Sequence, residues 1–242
     1  MAAIPDHYLA RLQLAAYQYP DASGKPTVFP WTWKAEIKHP LLGTTITAGF
    51  VRLPTGEQVV ILPGTGGEAD VAETIKQWML NLYAIPSPTS HPQFGIIDAG
   101  FYFDIEAFVT SLTPQIDPAQ PIYVIGHSRG AVQAAFVAGL LKLSGVKVER
   151  LCCFESPKGV GATFAAFISD IPALGTRMVN VDHTGFPTDD MVTDLPPTLI
   201  TEPAVPPAAV TEYRATPMPF DVWGAFALHH MQLVASVLGE SA

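Results

Sequence analysis

An α/β fold, with a mainly parallel central sheet and helices on both of its faces, is predicted by three features of this sequence. Apolar strand-like runs alternate with helix-like ones along much of the chain. One such pair, Ile122-Tyr123-Val124-Ile125 and Ala131 to Ala138, brackets the pentapeptide Gly126-His127-Ser128-Arg129-Gly130. The composition, 48% hydrophobic and only 14% charged over 242 residues, suffices to bury one large core.

The elements follow in order. Residues 7–19 read as an amphipathic helix, with Leu9, Leu12, Leu14, Ala16 and Tyr17 as apolar contacts. Residues 46–53 and 58–62 read as strands joined at Pro54-Thr55-Gly56-Glu57. Residues 71–82 read as a helix, and 84–95, with Pro86, Pro88 and Pro92 among Ser and Thr, as a loop. A helix over 101–112 precedes the strand–pentapeptide–helix unit at 121–143. Strands over 148–154 and 176–181 flank a helix over 162–170. The stretch 182–210, rich in Pro, Asp and Thr, reads as long irregular structure, and 221–238 as a closing helix. No internal repeat or domain boundary interrupts the pattern, so residues 1–242 are expected to form a single domain.

Charge and cysteine usage exclude several function classes. The net charge of −9 and the lack of any basic run argue against a nucleic-acid partner. No stretch of about 20 apolar residues exists to form a transmembrane helix. Asp6, His7 and Arg11 break up the N-terminus, so no secretory signal peptide is expected; the cytoplasm, leaderless export and a mature secreted form remain open as locations. Cys152 and Cys153 are neighbours on a strand and point to opposite faces, which suits buried free thiols rather than a disulfide or metal clip. No metal-ligand spacing occurs, and no metal or other cofactor is expected.

The pentapeptide carries the chemistry. Strand, G-x-S-x-G and helix form the nucleophile elbow of α/β-hydrolases, in which a sharp strained turn lifts the serine hydroxyl clear of the backbone. Such a serine needs a histidine to take its proton and a carboxylate to fix that histidine's tautomer. In the chain order Ser, acid, His, the downstream histidines are His183, His229 and His230, the last two on the C-terminal helix. Asp182, Asp189, Asp190 and Asp194 are the candidate acids, and spacing alone does not choose among them. The oxyanion formed on attack needs two backbone N–H donors. One is the amide of Arg129; the other is expected in Gly64-Thr65-Gly66-Gly67, after the strand at 58–62. Gly64 to Ala69 also fits G-x-G-x-x-A, but the acidic residue that a dinucleotide site places roughly 20 positions on is missing.

Several segments together resemble the class 3 lipases, the family of the fungal triacylglycerol lipases and their bacterial relatives, over roughly residues 45–235. Val59-Val60-Ile61-Leu62-Pro63-Gly64-Thr65 resembles V-V-x-F-R-G-T, and residues 75–82, with Trp78 and Asn81-Leu82, resemble the W-x-x-D/N-L helix after it. Asp98-Ala99-Gly100-Phe101 stands where the family has H-x-G-F, and Gly126 to Ala131 resembles G-H-S-L-G-G. Glu155 to Gly161 resembles G-x-P-R-V-G, Arg177-Met178-Val179-Asn180 resembles R-x-V-N, residues 190–197 resemble D-x-V-P-x-L-P-P, and His229-His230-Met231 resembles H-S-M.

The resemblance implies an α/β-hydrolase fold and a triad of Ser128, Asp190 and His229, with His230 second for the base and Asp189 second for the acid. It implies oxyanion donation by the amides of Thr65 and Arg129, the Thr65 hydroxyl assisting. It implies a carboxylic-ester hydrolase, a lipase or esterase acting on lipid or small-molecule esters in lipid metabolism, in transient contact with a lipid interface. It also implies a lid over 68–95, with Trp78, Met79, Leu82, Tyr83, Ile85 and Phe94 as its apolar underside; simple packing on the core is the competing expectation. Trp31 and Trp33 are expected to pack, an acyl-binding wall being the alternative. Pro63, Arg129 and Ala131 depart from the family pattern, Arg129 suggesting a polar pocket mouth or an ion pair. Two other function classes stand beside the hydrolase: an acyltransferase or thioesterase with the same triad, and a binding protein of weak activity on the same fold.

Overall fold

The structure, a computed structural model, describes residues 3–17, 28–38, 45–64, 86–178 and 205–213, together with Val234 and Leu238. Its elements are α1 (Asp6–Ala15), β1 (Trp33–Lys38), β2 (Thr45–Arg52), β3 (Gln58–Leu62), β4 (Pro86–Pro88), β5 (Ile96–Asp98), α2 (Ala99–Tyr102), α3 (Ile105–Leu112), β6 (Ile122–His127), α4 (Arg129–Leu143), β7 (Val148–Phe154), α5 (Ala162–Phe167), β8 (Ala173–Met178) and β9 (Val210–Tyr213). A seven-stranded sheet runs in the order β1-β2-β3-β6-β7-β8-β9. Its first three strands pair antiparallel, and β3-β6-β7-β8-β9 pair in parallel. The mainly parallel α/β sheet is therefore present.

Parallel strands covered on both faces lose the polar alternation of a half-solvated strand. Every residue of β3 and of β6 is buried. Alternate side chains divide between two apolar clusters. Val60, Leu62, Val124 and Cys153 join the cluster beneath α3 and α4, whereas Val59, Ile61, Tyr123, Ile125 and Cys152 join the one beneath α1. The two cysteines are buried free thiols on opposite faces. α4 is buried over its whole length up to Leu141, as a helix sandwiched between the sheet and an outer layer must be.

Five expectations change. A strand, β1, occupies 33–38, where none was expected; Trp33, Ala35 and Ile37 alternate with Lys34, Glu36 and Lys38, the pattern of a charged edge strand. The loop at 84–95 contains β4, which pairs with β5 as a separate two-stranded sheet; its prolines are tolerated because the strand lies at an edge. The helix over 101–112 is two helices, separated at Asp104, whose φ of 61° is left-handed. β8 begins at Ala173, three residues before its expected start at 176. A short 3₁₀ turn at Pro207–Ala209 leads into β9, which closes the sheet beside β8. The expected helices at 71–82 and 221–238 lie outside the described residues, except that Val234 is helical and buried. Trp33 packs against Phe108, and Trp31 against Phe29. No helix among the described residues is long and apolar enough to cross a membrane.

Candidate active site

β3, β6 and β7 end side by side, and Gly64, Ser128 and Glu155 follow closely on their carboxyl ends, where open parallel sheets generally bind ligands. Ser128 links β6 to α4 with φ 54° and ψ −128°. That conformation is all but closed to residues with a side chain and costs about 1–3 kcal/mol. Bonds on both sides hold it: the Ser128 amide donates to the Phe154 carbonyl at 2.8 Å, and the Ala131 amide donates to the Ser128 carbonyl at 2.9 Å.

The glycines that frame the serine are required by close backbone approach. A Cβ on Gly130 would lie 2.1 Å from the Leu62 carbonyl oxygen, and one on Gly126 would lie 2.1 Å from that of Gly130. Only bare backbone lets β3, β6 and α4 meet at this corner. Gly64, first residue of the predicted donor loop, lies against the elbow from the other side. A Cβ there would sit 2.5 Å from the His127 carbonyl oxygen and 3.0 Å from Ser128 Cβ. The chain leaving β3 thus runs directly past the serine.

Arg129 does not form a polar mouth. It is 2% exposed, and its Nε and Nη1 have no hydrogen-bond partner among the described residues. Burial lowers its pKa to about 10. Its backbone is the first residue of α4, where amides point outward unpaired and favour negative charge. Gln133, one turn later, is likewise buried with unpaired side-chain atoms among the described residues.

Two carboxyl groups at strand ends are buried, Glu155 beyond β7 and Asp98 at the end of β5. Glu155, directly after β7, has φ 50° where the resembled segment has glycine. The Thr176 hydroxyl accepts from the Glu155 amide at 3.3 Å and donates to Glu155 Oε1 at 2.9 Å. Asp98, where the family has histidine, caps α2 by accepting the Gly100 amide at 2.8 Å. Its Oδ2 is buried without a partner among the described residues, and burial raises its pKa to about 7. Neither carboxyl was singled out as functional from the sequence.

Of the predicted site residues, the structure brings Ser128 and Arg129 together with Gly64. Thr65, Asp190 and His229 lie outside the described residues, as do His183, His230, Asp182, Asp189 and Asp194. The expected lid lies outside them up to Ile85, and Phe94 belongs to the core, ringed by Phe164, Phe167 and Tyr102. Sequence reasoning treated Tyr17 only as an apolar contact of the first helix. Its hydroxyl reaches the site, 2.5 Å from His127 Nδ1 and 2.8 Å from the Gly64 nitrogen.

No family model matches the chain, and no curated protein matches it either. Solved structures do. The triacylglyceride lipase of Rhizomucor miehei superposes with a TM-score of 0.56 at 17% identity, covering 80% of this chain and 74% of that one. Lip2 lipase from Yarrowia lipolytica gives 0.55 at 17%, covering 78% and 73%. A triacylglycerol lipase from Penicillium expansum gives 0.52 at 15%, covering 87% and 77%. The fold is therefore that of the fungal triacylglycerol lipases, a lipase-like α/β-hydrolase fold.

Proposed function

We propose that this protein is a serine hydrolase of carboxylic esters, with lipid acyl esters as its substrate class. The observation that carries the reading is Ser128, held at φ 54° between a buried parallel strand and a buried helix, with the Gly64 chain pressed against it. Strained backbone conformations cluster at functional sites, and a serine in one between a strand and a helix has the arrangement of the nucleophile elbow. The sequence motifs around 190 and 229 and the lipase fold support the remaining assignments.

His229 takes the proton of the Ser128 hydroxyl as Oγ attacks the ester carbonyl. The C–O π pair moves onto oxygen, and the Thr65 and Arg129 amides hold the resulting oxyanion. Collapse breaks the bond to the alcohol, which leaves with the proton from His229, and Ser128 carries the acyl group. Water then gives its proton to His229, attacks the acyl carbon and releases the acid, returning the proton to Ser128. Asp190 keeps His229 in the tautomer whose free nitrogen faces the serine.

Hydrolysis of p-nitrophenyl esters from acetate to palmitate tests this, with wild type beside Ser128→Ala. Turnover is expected in the wild type, with the optimum at medium or long chains, and a loss of at least about 10³-fold in the variant. Equal rates in the two proteins contradict the assignment.

A further inference from the structure

We infer that the Tyr17 hydroxyl is a positioning group for the oxyanion hole, tying the loop that carries one donor to the turn that carries the nucleophile. The inference rests on the hydrolase reading above and deepens it. Tyr17 lies in the turn that follows α1, where its amide donates to the Leu14 carbonyl at 3.2 Å. Its side chain is buried, and its ring meets that of His127 edge-on at 5.8 Å between centroids.

One oxygen atom serves two chain segments. The Gly64 amide donates to Tyr17 Oη at 2.8 Å, and the same oxygen is 2.5 Å from His127 Nδ1. The Gly64 N–H takes one oxygen lone pair, and the His127 contact uses either the phenolic proton or the second lone pair, according to the imidazole tautomer. Gly64 immediately precedes Thr65, and His127 immediately precedes Ser128. The hydroxyl therefore fixes the residue before each of two groups whose separation decides whether an oxyanion donor lies within reach of the attacked carbonyl.

Two further contacts leave no slack in this arrangement. Gln13, on the last turn of α1, donates from Nε2 to the Leu62 carbonyl at 3.3 Å, so the helix grips the end of β3 two residues before Gly64. A Cβ on Gly64 would come within 2.8 Å of Tyr17 Oη, so only glycine lets the amide approach the hydroxyl this closely. Oxyanion stabilisation depends on donors fixed before the charge develops. A hydroxyl holding the loop in place thus acts on the transition state and not on the bound ester.

Tyr17→Phe removes the oxygen and keeps the ring. Hydrolysis of p-nitrophenyl butyrate is expected to show kcat lowered about 10- to 100-fold with KM within about twofold. The inhibition constant of an alkyl trifluoromethyl ketone, whose adduct mimics the oxyanion, is expected to rise by a factor similar to the loss in kcat/KM. His127→Gln tests the other end of the tie and carries the same expectation if Tyr17→Phe proves too unstable to assay. Adding it to Tyr17→Phe is expected to cost little more than either alone. Unchanged kcat and ketone affinity in Tyr17→Phe beside a Ser128-dependent wild type would overturn the positioning role alone. So would a loss confined to KM. A wild type without Ser128-dependent turnover would remove the hydrolase reading and the positioning role together.

Discussion

Ser128 and Asp98 are both residues kept in states their chemistry disfavours, one by backbone strain and one by burial. Asp98 offers a prediction about pH. Its carboxyl binds a proton with a pKa of about 7 in the folded protein against an ordinary 3.8, so the folded state holds more protons than the unfolded state between those values. Stability from this group therefore falls as pH rises from about 4 to 7, and the penalty is complete above 7, up to about 4 kcal/mol. Asp98→Asn keeps an oxygen for the Gly100 amide and cannot ionise. Its melting temperature relative to wild type should climb between pH 5 and pH 8, and a difference independent of pH would show that Asp98 does not titrate in that range. The strained turn at Ser128 was legible because glycine two residues on either side is demanded by steric contact. Tyr17 was not, because an aromatic on an amphipathic helix reads the same whether its hydroxyl is idle or bonded 110 residues away.

Among the elements, those walled in by apolar neighbours were read most closely. β3 and the 148–154 strand match their expected bounds, each carrying an apolar run, Val59 to Leu62 and Leu151 to Phe154, that is buried throughout. The edges were harder. β9 is four residues long beyond a Pro-rich stretch, and its pairing with β8 is decided by the sheet rather than by its own sequence. The break at Asp104 was hidden because Phe101, Ile105, Phe108, Val109 and Leu112 stay buried on one side through it, preserving a helical period across two helices. α5, only six residues long, depends on a tertiary anchor. Phe164 supplies it, fully buried, with ring centroids 4.6 Å from Phe94 and 4.9 Å from Phe136. Phe164→Ala should cost about 3–5 kcal/mol in denaturant unfolding. A cost below about 1 kcal/mol would mean that α5 is held by something other than this aromatic cluster.

Over the whole molecule, the sheet divides the core in two and brings the carboxyl ends of β3 and β6 side by side, where Gly64 lies against Ser128. The α/β class was legible because alternating strands and helices admit few arrangements. The assembly of the site was legible only in part, because a triad is drawn from distant loops and spacing carries no information on which aspartate or histidine returns to the serine. The choice of Asp190 and His229 accordingly rests on motif resemblance. All of it turns on whether Ser128 is an activated nucleophile. Labelling the intact protein with an alkyl fluorophosphonate and locating the adduct by peptide mass spectrometry measures this directly. Stoichiometric modification of Ser128, abolished in Ser128→Ala, is the predicted result; an unlabelled Ser128, or labelling that persists in the variant, would contradict the account.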